Sequence, residues 1–366
     1  MLNHLKWRGD LLKQKYRQLI LIFFAFGMFC VVLGEGSAAE TLFVNPDTST
    51  VLHSPSIDIH GTILFGQSQR KSGGWFLGKT QWYLLDTLQT IRALPIQSTH
   101  AFLAASGRHV VFSSPDGLVY LYDVEADDSL LVSSPRHMLD DGFAEELVNP
   151  IVSPNLQYIY SRATYYEFYY EDVALFHRTR RGDYPRHPLS AEYLLACDAA
   201  YFTKDNQYLV TCGEAFGAER PTGLTLFDLE ADSVVLHTTR PDYMDCVFQA
   251  DDRSFIGVTR SYDWDDSYEW TYCVKKYALD AGTVTDSMVL SDQLQIQAWH
   301  HQRPLLAYVT DTDVLKVMNY AQRSTTTLAT VQDPSFLAWW PRMVWDLNTG
   351  ELIMTTDTAV KRYASQ

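Results

Sequence analysis

An apolar run, a polar two-residue turn and a second apolar run recur seven times along this chain of 366 residues. One turn residue per copy, Gly61, Gly107, Leu156, Asn206, Asp252, Gln302 and Pro341, marks steps of 46, 49, 50, 46, 50 and 39. Short β-prone runs around a tight turn make hairpins rather than helices. A third strand of similar texture follows several of them, as in WYLLDT, VYLYDVE, LTLFDLE, KKYALDA and VLKVMNY, and then a fourth, as in SLLVSSP, SVVLHTT and TTTLATV. Four antiparallel strands repeated every ~40 to 50 residues make the blade of a propeller. The predicted fold is all-β, a single β-propeller of seven four-stranded blades, with six as the alternative count. No low-complexity tract interrupts the repeat.

The last repeat is short. After FLAWW, MVWDL and ELIMTTD only the residues from Thr358 to Gln366 remain. The run Thr41-Leu42-Phe43-Val44, ended by Asn45-Pro46, is the natural strand to complete that blade, because ring closure removes exposed sheet edges. A competing reading takes MVWDLNTGELI as third and fourth strands and leaves the seventh blade without an opening hairpin.

The fragments Phe112-Ser113-Ser114-Pro115-Asp116-Gly117 with Tyr120-Leu121-Tyr122-Asp123, Ile151-Val152-Ser153-Pro154-Asn155, and Trp345-Asp346-Leu347-Asn348-Thr349-Gly350 resemble the WD40-like and TolB-like propeller repeats. The resemblance runs from about residue 41 to 366. It implies the repeat fold and no particular activity. The Trp-Asp pair occurs in its expected setting only at Trp345-Asp346, and the Gly-His signature of WD40 blades is absent.

Residues 1 to 39 read as a signal peptide: Lys6, Arg8, Lys13, Lys15 and Arg17 precede an uncharged stretch from Leu19 to Gly34, and Ser37 and Ala39 supply small side chains at the exit. Sixteen apolar residues fall short of the ~20 that span a bilayer. The reading is cleavage after Ala39, with an uncleaved anchor as the alternative. Either way residues 40 to 366 form the propeller domain outside the cytoplasm, periplasmic or secreted, with membrane contact only through such an anchor. Without residues 1 to 39 the chain holds 24 basic and 42 acidic side chains, a net charge of −18. That argues against nucleic acid and anionic membrane partners. Four cysteines remain, Cys197, Cys212, Cys246 and Cys273. Cys197 and Cys212 lie symmetrically about the turn from Thr203 to Asn206, so a disulfide across one hairpin is expected in an oxidising compartment. Cys246 and Cys273 fall on strands that a third strand separates. Buried free thiols are the alternative for all four.

Second-to-third and fourth-to-first connections gather on one face of a propeller, and binding resides on such loops. Long second-to-third loops run from Gln67 to Thr80, Arg162 to Asp172, Gly213 to Gly223 and Arg260 to Thr271. One carries Tyr165, Tyr166, Glu167, Tyr169 and Tyr170, and another carries Tyr262, Asp263, Trp264, Asp265, Asp266, Tyr268 and Trp270. Aromatic faces interleaved with carboxylates suit a cation, a sugar or a basic protein surface. The plainer account makes both segments hairpin arms with rings packed across the strands and acids in water. Asp263, Asp265 and Asp266 lack the glycine and distal glutamate of a calcium loop, so no metal is assigned. The stretch Leu139 to Leu147 reads as a short acidic helix beside that face. His300-His301 reads as a paired surface turn on the opposite face, with no third ligand nearby.

No nucleophile elbow, phosphate loop or H-E-x-x-H occurs. No catalytic residue and no cofactor is assigned. The expected function is non-catalytic binding of a protein or glycan partner through the aromatic and acidic loops. The alternatives are a hydrolase, lyase or lactonase with carboxylates at the channel mouth, with or without a divalent metal, and a purely structural envelope part.

Overall fold

The computed structural model describes residues 39–364 apart from 71–76, 99, 133–145, 166–169, 188–198, 214–222, 239–242, 250–253, 263–269, 279–282 and 332–341. Ala39–Gln366 is one compact unit. Its strands form seven antiparallel sheets. After β1 (Glu40–Val44), sheet 1 holds β2 (Thr50–Ile57), β3 (Ile63–Arg70), β4 (Leu77–Leu85) and β5 (Ile91–Leu94). Sheet 2 holds β6 (His100–Leu103), β7 (His109–Ser113), β8 (Val119–Asp123) and β9 (Asp128–Leu131), and sheet 3 holds β10 (Glu146–Val152), β11 (Tyr158–Tyr165) and β12 (Tyr170–His177). In sheet 4 come β13 (Ala199–Phe202), β14 (Tyr208–Gly213), β15 (Gly223–Asp228) and β16 (Ser233–Thr238). In sheet 5 come β17 (Tyr243–Gln249), β18 (Ser254–Tyr262), β19 (Trp270–Ala278) and β20 (Val284–Leu290). Sheet 6 has β21 (Leu294–Trp299), β22 (Leu305–Thr310), β23 (Val314–Asn319) and β24 (Ser324–Thr330). Sheet 7 has β25 (Met343–Trp345), β26 (Leu352–Thr355), β27 (Ala359–Tyr363) and, as its outer strand, β1.

Each sheet's first strand touches the first strand of the next, from β2 through β6, β10, β13, β17, β21 and β25 back to β2. The fold is therefore a closed seven-bladed propeller. Period-two alternation explains how sheets pack on both faces. On β3, Ile63 and Phe65 pack toward sheet 7 with Ile353 and Val360, while Leu64 between them packs toward sheet 2 with Leu103 and Val110. Fully burying one such side chain contributes about 1.5 to 3 kcal/mol.

The closing strand comes from the N-terminal side, as expected: β1 pairs antiparallel with β27, Thr41 opposite Lys361 and Val44 opposite Ala359. Asn45 then fastens the junction, its amide donating to Asp357 O at 3.0 Å and to Thr50 Oγ1 at 3.1 Å, while its Oδ1 accepts from Gln67 at 2.7 Å.

Three expectations need correction. The opening hairpin of sheet 7 is MVW and LIMT around Gly350, neither the hairpin placed at Pro341 nor the third-and-fourth-strand alternative, and FLAWW lies outside the described residues. With Gly350 as the seventh index residue the last step becomes 48 instead of 39, in line with the others. Among the described residues sheet 3 has three strands, and at the fourth position the segment after β12 makes the bridge Phe176 to Arg186. Glu146 and Leu147 belong to strand β10 rather than to a helix, and the rest of that stretch lies outside the described residues. In the fourth sheet the hairpin register sets Cys212 opposite Ala199, and Cys197, its expected disulfide partner, lies outside the described residues. Cys246 and Cys273 sit on β17 and β19 with β18 between them, and Cys273 is a free thiol.

Candidate functional site

The face carrying the second-to-third and fourth-to-first connections is termed the upper face. The described strands that flank both aromatic segments run up to it. In sheet 3 the β11 and β12 pairing continues from Tyr158 opposite His177 up to Tyr165 opposite Tyr170. In sheet 5 it continues to Tyr262 opposite Trp270. Long paired strands arise because Tyr, Thr and Trp fit a pleated surface. Trp270 is 38% exposed, and the Arg260 guanidinium lies 4.6 Å from its ring centroid. Gln293, from the connection into sheet 6, donates to the Trp270 carbonyl at 2.6 Å. The arm is thus tied to the next sheet at its exposed ring. Tyr166, Glu167, Tyr169, Asp263, Trp264, Asp265, Asp266 and Tyr268 lie outside the described residues. The two arms share a face, with sheet 4 between them.

Beneath that face lies a set of polar groups that sequence reasoning missed. Sheets 7, 1, 2 and 3 follow one another around the ring, and each places a basic side chain in its upper half: Arg342 just before β25, His53 on β2, His100 opening β6 and Arg162 on β11. Arg342 is 2% exposed, donates to the Leu52 carbonyl, and stands 3.6 Å from Asp357, itself 3% exposed. Burial, then the charges of Arg342 and His100, hold His53 well below the usual imidazole range. Burial, then Arg162, brings His100 down to about 3. Both rings are therefore neutral at pH 7, because desolvation and neighbouring positive charge both disfavour the imidazolium form.

His53 Nε2 lies 2.7 Å from Ser68 Oγ, which lies 2.6 Å from Thr80 Oγ1. A serine beside a histidine suggests a nucleophile and its base. Here His53 and Ser68 have no exposed surface, and His53 Nδ1 faces the Ser54 hydroxyl at 3.0 Å rather than a carboxylate. No substrate reaches a sealed pair. Its role is to satisfy polar groups inside sheet 1, where a missing partner costs about 1 to 3 kcal/mol. Trp82 covers the His53 ring edge-on at 5.7 Å and donates its indole N–H to Ser98 O at 3.0 Å, linking sheet 1 to the strand that enters sheet 2.

Two first strands are bulged beside this arc. Ser54, between His53 and Ser56, has φ 50°, and Asn149, between Val148 and Ile151, also has φ 50°. Each precedes a proline, where a left-handed backbone is doubly disfavoured, at a cost of about 1 to 3 kcal/mol. The available sequence signal was the 47-residue interval from His53 to His100, which matches the repeat, together with the Ser-Pro and Asn-Pro pairs in two first strands.

On the lower face the His300-His301 turn departs from a paired surface turn. His301 is exposed and stacks on Tyr201 of β13 at 4.1 Å, linking sheet 6 to sheet 4. His300 is 1% exposed, packs 5.3 Å from Trp345, and is lowered to about 4 by burial and then by Arg303. Among the described residues no group of three or more His, Cys, Asp or Glu side chains could hold a metal ion, and no helix is long and apolar enough to cross a membrane. No family model matches the chain, and no curated protein matches it.

Proposed function

We propose that this chain is an exported, non-catalytic propeller that holds a protein or glycan partner on its upper face, with Tyr165, Tyr166, Glu167, Tyr169 and Tyr170 from one arm and Tyr262, Asp263, Trp264, Asp265, Asp266, Tyr268 and Trp270 from the other. One observation carries the reading: both arms extend by strand pairing toward the same face, ending at Tyr165 opposite Tyr170 and at Tyr262 opposite Trp270. Paired strands support rings more rigidly than a free loop does, which lowers the entropy lost when a partner is bound. The exposed Trp270 with Arg260 over its ring is a surface of the kind that sugars and interface side chains stack on. The acids between the rings favour a basic or hydroxyl-rich partner and disfavour nucleic acid. Export rests on the basic and apolar N-terminal segment.

The test is capture from envelope extracts with residues 40 to 366, compared with a variant carrying Tyr165→Ala, Tyr166→Ala, Trp264→Ala and Trp270→Ala. A partner retained by the unaltered domain and lost by the variant supports the reading. Equal capture by both places the binding surface elsewhere.

A further inference from the structure

We propose that the turn after β12, on the lower face of sheet 3, docks an acidic segment of a partner protein through Arg178, Arg180 and Arg181. This surface lies on the face opposite the aromatic arms and does not rest on their role. It fills the slot after a third strand, where sheets 1, 2 and 4 hold the turn with an aspartate. Asp86 Oδ1 accepts the Leu88 and Thr90 N–H groups, Asp123 Oδ1 those of Glu125 and Ala126, and Asp228 Oδ1 those of Glu230 and Ala231. In sheet 3 the capping passes to Thr179, whose Oγ1 accepts the Arg181 N–H at 3.2 Å and whose N–H donates to the Asp183 carbonyl at 2.8 Å. Gly182 takes the left-handed position at φ 93°. The turn therefore closes on Thr179, Gly182 and Asp183 without a guanidinium.

The three arginine side chains are exposed. Arg178 stands over the Tyr184 ring, 5.9 Å from its centroid. Among the described residues none of the three forms an ion pair, whereas Arg92, Arg108, Arg323 and Arg362 each do, with Asp127, Asp123, Asp286 and Glu40. In a chain of 44 acidic and 29 basic side chains, three arginines in four residues thus carry charge that the fold does not use.

An exposed guanidinium fork matches the two oxygens of a carboxylate. The neighbouring turns decide how wide the partner is. Asp123, Glu125, Asp127 and Asp128 stand on sheet 2, and Asp228, Glu230 and Asp232 on sheet 4. A broad anionic surface such as a bilayer or a duplex meets these acids together with the arginines, and like charge at an interface suppresses wrong partners. An extended acidic peptide contacts the basic turn alone. The net negative charge of the chain does not forbid this, because exposed charges beyond about 8 Å are largely screened at physiological salt.

Fluorescence anisotropy of a labelled, end-blocked hexaglutamate peptide is measured with the full chain at low ionic strength, against the triple variant Arg178→Gln, Arg180→Gln and Arg181→Gln. Lys6→Gln, Arg8→Gln, Lys13→Gln, Lys15→Gln and Arg17→Gln in both proteins keep the N-terminal basic residues out of the comparison. Saturable binding is expected, weakened about tenfold in the triple variant, since each exposed pair contributes up to about fivefold. Arg303→Gln, at an exposed lower-face position of sheet 6, should leave it unchanged. Absence of hexaglutamate binding overturns the proposal, as does equal binding by a triple variant with a native circular dichroism spectrum. Tighter binding of oligothymidylate or of phosphatidylserine vesicles than of hexaglutamate, through the same arginines, overturns the assignment to an acidic peptide. Should the triple variant fail to fold, Arg180→Gln decides: a loss of about two- to fivefold supports the proposal and unchanged affinity overturns it.

Discussion

At the scale of single residues, one backbone slot recurs around the ring. Gly61 (φ 87°), Gly107 (φ 72°), Leu156 (φ 59°), Asn206 (φ 59°) and Gly350 (φ 73°) all occupy the left-handed position of a first-to-second turn. Side-chain caps hold these turns: Ser153 Oγ receives the Tyr158 N–H, Thr203 Oγ1 the Tyr208 N–H, and Asp58 Oδ1 the His60 and Thr62 N–H groups. Four of the five positions were visible in the sequence as turn residues at a constant spacing. The seventh was misplaced because Trp339-Trp340-Pro341 imitates a strand followed by a turn. Gly107 is the most constrained, since a Cβ there would lie 2.0 Å from Asp58 Oδ2, whereas at Gly61 the nearest atom is Thr87 Cγ2 at 3.1 Å. Gly107→Ala should therefore cost about 2 to 4 kcal/mol, the left-handed penalty plus displacement of a capping carboxylate. Gly61→Ala should cost about 1 to 2 kcal/mol. Urea denaturation of both variants checks this, and equal losses would remove Asp58 from the account. Gly66 obeys the same logic inside sheet 1, where a Cβ would meet His53 Cε1 at 2.7 Å and Thr80 Cγ2 at 3.0 Å, both buried. Gly66→Ala should displace His53 from Ser68 and lower stability by about 1 to 3 kcal/mol.

At the scale of elements, the fate of β1 decides whether the ring closes. It pairs along β27, its Glu40 stands 3.4 Å from Arg362, and the residue that follows it, Asn45, bonds to both ends of the ring through Asp357 and Thr50. That strand was legible because a four-residue apolar run before Asn45-Pro46 has no partner nearby in sequence, while the last repeat lacks one strand. The reduced fourth strand of sheet 3 was not legible, because residues 178 to 187 carry enough turn formers and aromatic residues to read as any connection. Its register depends on backbone bonds that no pattern of side chains announces, such as His187 N–H to Leu175 O. Asn45→Ala should remove the bonds from its amide to the Asp357 carbonyl and to Thr50 Oγ1 inside this buried junction and cost about 1 to 3 kcal/mol. A chain beginning at residue 46 should lose far more, since β27 then becomes an open edge and the faces of Leu42 and Phe43 against sheet 1 are lost. The discriminating measurement is the steepness of thermal unfolding: the point variant keeps one sharp transition at lower temperature, while the truncation broadens it. A truncation as cooperative as the full chain would mean that closure by β1 is dispensable.

At the scale of the whole molecule, histidines buried in neutral form link stability to pH. His53, His100 and His300 lie in sheets 1, 2 and 6, and each is held below the ordinary imidazole range, His100 at about 3 and His300 at about 4. In the unfolded chain the same groups titrate near 6.5. Between about 6.5 and the folded values, the unfolded state therefore binds protons that the folded state does not. Stability from these groups is complete above about pH 7 and falls as the pH drops, by as much as about 1.4 kcal/mol per pH unit for each histidine. The loss from His300 ends near pH 4, and that from His100 near pH 3. Carboxylates with ordinary values begin to contribute only below about pH 5, so the interval from 6.5 to 5 isolates the histidines. Urea midpoints measured across pH 7.5 to 5 should decline, and His300→Gln and His100→Gln should each flatten the decline by one histidine's share. His300 is the cleaner variant, because it lies on the lower face, away from Arg162. A midpoint that stays constant over this interval, or a His300→Gln protein with the slope of the unaltered chain, would mean that His300 takes up its proton in the folded state as readily as in the unfolded one.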